Sequence, residues 1–222
     1  MNFFDIHTHL LREKPDTNAV LNIFWQYIDK LPDCQPFSLS AHPWFLNTYS
    51  SVDFESMLQK LCDNPCFMAI GECGLDKNTA FNPDFQISTL NEQYKFAETF
   101  DKPMIIHCVR SFDQLLTWRK GKAVNMLLHG FNRKIELLKD LIKAGFYLSF
   151  GAAIFEDSKA LVNCPLEKLF LETDDQDMYS IEEIYNKAAE VLNMDLELLK
   201  LQILENRKTF FKLYFNGNAC NR

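Results

Sequence analysis

An α/β barrel of the TIM-type (β/α)8 kind, with its first two helices reduced or missing, is the architecture this sequence predicts. Three observations carry it. Eight short apolar runs recur along the chain, amphipathic stretches of helical period separate the later ones, and the first three runs lie too close together for helices between them. The runs are apolar throughout rather than alternating, as in a parallel sheet covered on both faces. Strand, loop and helix in repetition give an α/β domain. The predicted strands are Asn2–Ile6, Ala19–Phe24, Pro36–Ala41, Phe67–Gly71, Pro103–His107, Asn125–His129, Phe146–Phe150 and Lys168–Glu172. At 222 residues the chain is shorter than the ~250 typical of such a barrel. About a dozen residues separate the first strand from the second, and as few again the second from the third, which is what a crossover helix needs for itself.

The helical stretches follow in order. In Val52–Cys62, Phe54, Met57, Leu58 and Leu61 share a face. In Asp84–Phe100, Ile87, Leu90, Tyr94 and Ala97 do so, and Asp101-Lys102-Pro103 ends the helix. Asn132–Ala144 carries Ile135, Leu138, Leu141 and Ile142 inward, with Asn132 as its expected cap and Gly145 at its C′ position. Ser180 with Glu183 reads as a capping box opening a helix that buries Ile181, Ile184, Tyr185, Ala188 and Val191. Asp195–Phe211 closes the pattern. No linker, repeat or low-complexity stretch divides residues 1–222, so one domain is expected.

Composition narrows the function. With 23 basic against 30 acidic side chains the net charge is −7, which argues against a diffuse basic surface for nucleic acid. A phosphate substrate would need a local cation. Cys34, Cys62, Cys66, Cys73, Cys108, Cys164 and Cys220 show no finger or ribbon spacing and read as reduced thiols. The opening MNFFDIHTHL lacks a basic region and a long apolar region, and no run reaches membrane length, so a cytoplasmic protein without signal peptide is expected. No P-loop, GxGxxG or GxSxG motif occurs.

The placement of the histidines points to chemistry. His7 and His9 follow FFDI, His42 follows FSLSA, His107 ends PMII and His129 ends NMLL, so all five fall at or just past predicted strand ends. Glu72, after AIG, and Asp174, after FLET, occupy equivalent places. In a barrel these ends form one rim, where active sites of this architecture are built. Residues i and i+2 of an extended chain share a face, so His7 and His9 can reach one ion. A carboxylate such as Glu72 can bridge two cations, as no imidazole can. Lys77 and Arg110, after the fourth and fifth strands, are placed to hold an anionic group.

At these residues the sequence resembles the TatD family of metal-dependent hydrolases. The resemblance rests on DIHTHL at Asp5–Leu10, AHPW at Ala41–Trp44, IGECGLD at Ile70–Asp76, PMIIH at Pro103–His107, LLHGF at Leu127–Phe131, LETD at Leu171–Asp174 and LENRKTFF at Leu204–Phe211. It implies a magnesium-dependent nuclease, often a DNase of 3′-to-5′ exonuclease character. It further implies that His7, His9 and Asp174 hold one divalent ion, that His107 and His129 hold a second, that Glu72 bridges them, and that His42 lies near the substrate phosphate. The chain departs from the family pattern at Ser40, at Lys77-Asn78, at the spacing of Arg110 from His107 and at Asp175-Gln176-Asp177. It reads as a compact branch with altered recognition loops.

The expectation is therefore a divalent-metal hydrolase, a phosphodiesterase or exonuclease-like DNase, that binds DNA or another phosphodiester transiently and needs no membrane or obligate protein partner. Two ions activate water, Asp174 orients it and takes its proton, and His42, Lys77 and Arg110 contact the phosphate. Magnesium comes first by resemblance, with manganese or zinc compatible with the mixed imidazole and carboxylate set. Two alternatives stand: an amide or ester hydrolase using the same ions on a small substrate, which would ignore oligonucleotides, and a non-catalytic metal-binding barrel, which would turn over no phosphodiester.

Overall fold

The computed structural model describes residues 2–10, 16–31 and 35–213, so Cys34 and Cys220 lie outside the described residues. Strands β1 (Asp5–Thr8), β2 (Ala19–Phe24), β3 (Phe37–Ser40), β4 (Phe67–Asp76), β5 (Met104–Val109), β6 (Met126–Leu128), β7 (Tyr147–Phe150) and β8 (Leu169–Leu171) pair in parallel in chain order. The seam between β1 and β8 is bridged at the C-terminal rim. There Thr8 pairs with Asp174, the His9 N–H donates to the Asp174 carbonyl at 2.9 Å, and the Asp174 N–H donates to the His7 carbonyl at 3.0 Å. Below the bridge, Asp5 accepts from the Thr173 amide and hydroxyl at 3.2 and 2.7 Å. The strand interiors are buried almost without exception, Ile6, Leu39, Ile70, Ile105, Leu127, Leu148 and Phe170 among them.

Helices α1 (Ser51–Leu61), α2 (Pro83–Thr99), α3 (Phe112–Arg119), α4 (Ile135–Lys143), α5 (Lys159–Val162), α6 (Ile181–Leu192) and α7 (Leu196–Phe210) flank the strands. Among the described residues no helix joins β1 to β2, and only a short 3-10 turn, Trp25–Lys30, lies between β2 and β3. The chain is too short there for more. The Ser180–Glu183 capping box forms, and Asp195 caps α7 by accepting from the amides of Glu197 and Leu198. One expected cap fails. Helix α4 starts at Ile135 with Lys134 in the cap position, and Asn132 stays in the rim loop. Docking of Leu138 and Leu141 sets that start, with no side-chain cap involved.

Strand bounds differ most at β4, which continues to Asp76 and so carries Glu72 within the strand rather than past its end. The cause is its pairing with β5. Ile70 opposes Met104 and Cys73 opposes Ile106, so β4 holds one extra residue across Gly71-Glu72. Such a bulge bends a strand and re-aims a side chain, as happens near active sites. A second irregularity falls in β1, where Asp5 opposes Ala19 and Thr8 opposes Leu21 across the segment holding His7. Gly74 makes the β4–β5 approach possible: its φ is +153°, and a Cβ there would collide with the His107 carbonyl oxygen.

Candidate metal centre

The C-terminal ends of the strands bring five imidazoles and two carboxylates to one place, with His7 and Glu72 lying in the two irregular segments. Glu72 is its centre, 3% exposed at the barrel mouth. Its Oε1 lies 2.7 Å from His107 Nδ1, 2.7 Å from His129 Nε2 and 3.3 Å from His42 Nε2. Its Oε2 lies 3.2 Å from His9 Nε2 and 3.5 Å from His7 Nε2. The two oxygens of one carboxylate thus face two sets of rings. Asp174, a third exposed, adds Oδ1 at 3.6 Å from His7 Nε2 and 3.5 Å from His9 Nε2, and Oδ2 at 3.9 Å from His129 Nδ1.

This arrangement fits divalent ions better than it fits hydrogen bonding alone. The buried His7 has no hydrogen-bond partner on either ring nitrogen, and its Nε2 faces the Glu72 and Asp174 oxygens at 3.5 and 3.6 Å. Leaving buried polar atoms unmet costs ~1–3 kcal/mol each, so a partner is called for. Nitrogen and oxygen ligands ~2.1 Å from a shared ion in a tetrahedron stand ~3.4 Å apart, close to the 3.2–3.6 Å between the His7 and His9 Nε2 atoms and the Glu72 and Asp174 oxygens. Three groups of donors each converge closely enough to share an ion: His7, His9 and Glu72; His7, His129 and Asp174; and His42, Glu72 and His107.

Electrostatics support the same assignment. Burial would raise the Glu72 carboxyl, but the His129, His107 and His42 rings hold it well below the usual range, so it is ionised. Burial would likewise raise Asp174, yet His7 and His129 bring it down to about 2. His7 is held up at about 9, because the Asp174 and Glu72 carboxylates outweigh the desolvation that acts against its charged form. His129 is raised well above the ordinary value against the same desolvation, by Glu72 and Glu172. Without cations, protons on these rings balance the acids.

His42 differs from the others. Burial lowers it, favouring the neutral ring. The Trp44 backbone N–H donates to its Nδ1 at 3.2 Å, so a neutral His42 carries its proton on Nε2, the atom facing Glu72. It is set up as a hydrogen-bond donor into the centre, where the neighbouring rings are set up as ligands.

A second layer holds the first. Asn22 accepts from the Glu72 amide at 2.8 Å and donates to Glu72 Oε2 at 3.4 Å, and Ser38 donates to Asn22 at 3.2 Å. Asp76 Oδ2 lies 3.2 Å from His107 Nε2 and turns that ring's Nδ1 inward. Glu172 accepts from the Gly130 amide at 2.6 Å and from Ser149 at 2.5 Å, and faces His129 Nδ1 at 3.8 Å. Such outer partners fix ring orientation and ligand basicity. Asn22, Asp76 and Glu172 were not among the residues singled out from sequence. Lone polar residues in strands have no spacing signature, although Asp76 and Glu172 sit inside the IGECGLD and LETD segments.

Lys77 and Arg110 stand apart from the cluster. Both are exposed and line a neighbouring cavity of about 470 Å³ together with Asp76, Gln86, Ser111 and Phe112. That cavity meets the centre through Asp76. Among the described residues, Cys62, Cys66, Cys73, Cys108 and Cys164 are free thiols, and burial pushes Cys108 up to about 12, which makes it a poor nucleophile. No helix among the described residues is long and apolar enough to cross a membrane.

Comparison with known proteins bears on the family and the fold of the chain. The family model described as TatD related DNase matches residues 18–212. The uncharacterized metal-dependent hydrolase YjjV of Escherichia coli K12 is 31% identical over 153 residues, covering 64% of this chain and 58% of the relative. A protein named 3′-5′ ssDNA/RNA exonuclease TatD, from Erwinia tasmaniensis, is 26% identical over 153 residues, covering 64% of this chain and 59% of the relative. Each match thus spans less than two thirds of the relative's length. The crystal structure of YjjV superposes with a TM-score of 0.74 at 22% identity, covering 87% of this chain and 86% of that one, a likeness of fold. His7 and His9 precede the residues that the family model matches. With that match running from just before β2 to the end of α7, the chain belongs to the TatD-related DNase family.

Proposed function

We propose that this chain is a divalent-metal-dependent phosphodiesterase that removes nucleotides from the 3′ end of single-stranded nucleic acid. The observation that carries the reading is Glu72, whose two oxygens face two separate sets of imidazoles at the barrel mouth. His7, His9 and Asp174 would hold one ion, His107 and His129 the other, and Glu72 both. Bound there, paired divalent ions lower the pKa of water and neutralise the charge of the transferring phosphoryl group, which lets a protein of net charge −7 handle a phosphodiester. Magnesium is the first choice, and manganese or zinc suits the same donors.

The chain's own residues do the rest. Asp174, on the open side of the site and ionised above about pH 2, orients the attacking water and accepts its proton. His42, with its Nε2–H directed inward, donates to a phosphoryl oxygen. Asp76 and Glu172 keep His107 and His129 turned toward Glu72. Lys77 and Arg110 meet a phosphate further along the strand, in the cavity that adjoins Asp76. The name of the Erwinia relative supports a single-stranded substrate and 3′ polarity.

The test is cleavage of an end-labelled single-stranded oligonucleotide with added Mg²⁺ or Mn²⁺, alongside a measurement of bound metal. Stepwise shortening from the 3′ end, abolished by chelator and by Glu72→Ala, is expected. Unchanged cleavage by Glu72→Ala contradicts the reading. Oligonucleotides left intact alongside hydrolysis of a small amide or ester would move the assignment to carbonyl chemistry on the same donors.

A further inference from the structure

Trp44 is 55% exposed, yet it is not loose. Its indole Nε1–H donates to Asp76 Oδ2 at 2.6 Å, and its backbone N–H donates to His42 Nδ1 at 3.2 Å. The ring meets that of His42 edge-on, with centroids 5.0 Å apart, and stands 6.1 Å from that of His107. Single exposed aromatics are common on protein surfaces. This one is tied, by edge and by backbone, to residues of the metal centre.

Beside it lies a cavity of about 360 Å³ lined by Trp44, Asp76, Asn78, Thr79, Ala80 and Phe81. Its size falls within the ~300–1,000 Å³ of small-molecule pockets. The lining holds a carboxylate and no cation, so it disfavours a phosphate and suits a neutral planar group with polar edges.

We propose that this slot receives the base of the 3′-terminal nucleotide, stacked on the Trp44 indole, while its phosphodiester lies over Glu72. The inference rests on the nuclease reading and sharpens it: Trp44 makes the enzyme recognise a base without choosing among bases, since every base offers a π-face. Asn78 and Thr79 border the slot with amide and hydroxyl groups that accommodate either donors or acceptors.

The experiment compares two single-stranded oligonucleotides, alike except that one carries an abasic residue at its 3′ end, with wild type, Trp44→Ala and Trp44→Phe under Mg²⁺. Wild type should favour the intact end, and Trp44→Ala should raise KM on it about 10-fold relative to the abasic end. Trp44→Phe, which keeps a ring but not the bond to Asp76, should retain most of the preference. A purely structural role would slow both substrates alike. Trp44→Leu replaces Trp44→Ala if the latter fails to fold, with the same expected loss. An unchanged preference in Trp44→Ala, or in Trp44→Leu where that replaces it, overturns the inference and leaves the nuclease reading standing. Failure of wild type to cleave either oligonucleotide overturns both.

Discussion

From β4 onward every strand is followed by at least one α-helix, whereas β1 is joined to β2 without one among the described residues, and β2 to β3 by a 3-10 turn. The outer cover of the early strands is borrowed. Tyr185 of α6 accepts from the Phe4 amide at 3.2 Å and donates to the Phe4 carbonyl at 2.8 Å, while Arg207 and Lys200 of α7 lie over the rings of Phe4 and Phe3. Phe54 of α1 packs on Trp25. Both halves nonetheless supply side chains to the proposed centre, His7, His9 and the donor His42 from the early one and Glu72, His107, His129 and Asp174 from the late one. In the proposed centre, His7 and Glu72 lie in irregular strand segments and the β1–β8 bridge joins the backbones of His7, His9 and Asp174, with no helix between β1 and β2 among the described residues.

Substitutions can break that equivalence. The largest effect is expected at Glu72, which both halves share. Glu72→Ala should abolish cleavage and weaken metal binding by more than the ~10–100-fold that outer-shell changes cost, as read by metal titration. Gly74→Ala comes next, because its Cβ meets the His107 carbonyl oxygen at the β4–β5 contact. A loss of ~3 kcal/mol or more is expected by thermal or denaturant unfolding. Tyr185→Phe should cost ~1–3 kcal/mol by leaving Phe4 backbone groups unmet. It should also weaken the ion held by His7 and His9 more than the ion held by His107 and His129. Equal weakening of both would show that the borrowed cover does not act through β1.

Much of this was legible beforehand, because the information was local. Apolar runs named all eight strands, and a histidine or acid beside a run marked the rim. What could not be read depends on pairing. The extension of β4 to Asp76 and the bulge at Glu72 follow from register against β5, to which no residue of β4 alone testifies. The part played by Asn22 exists only once β2 lies beside Glu72. Helix α3 was missed because only Leu115 and Trp118 bury in its eight residues, too short a pattern to stand out.

A smaller effect, with a definite sign, concerns pH. His7 rises from 6.5 in the unfolded chain to about 9 in the metal-free fold. Its stabilising contribution is therefore full below pH 6.5 and lost as pH climbs through about 9. Metal affinity should move the opposite way. An imidazole must give up its proton to bind an ion, so the His7 proton by itself should make affinity increase by up to about tenfold per pH unit, an effect that levels off near pH 9. Calorimetric titration in buffers of different ionisation enthalpy counts those protons. No proton release at pH 7 would contradict the charge state assigned to His7.

The claim on which the rest depends is that Glu72 sits between two cations. Anomalous diffraction at the manganese edge from crystals grown with Mn²⁺ tests it directly. Two peaks are expected, one bounded by His7, His9 and Asp174 and one by His107 and His129, with an oxygen of Glu72 on each. A single peak, or peaks that leave Glu72 without an ion on either side, would contradict the account.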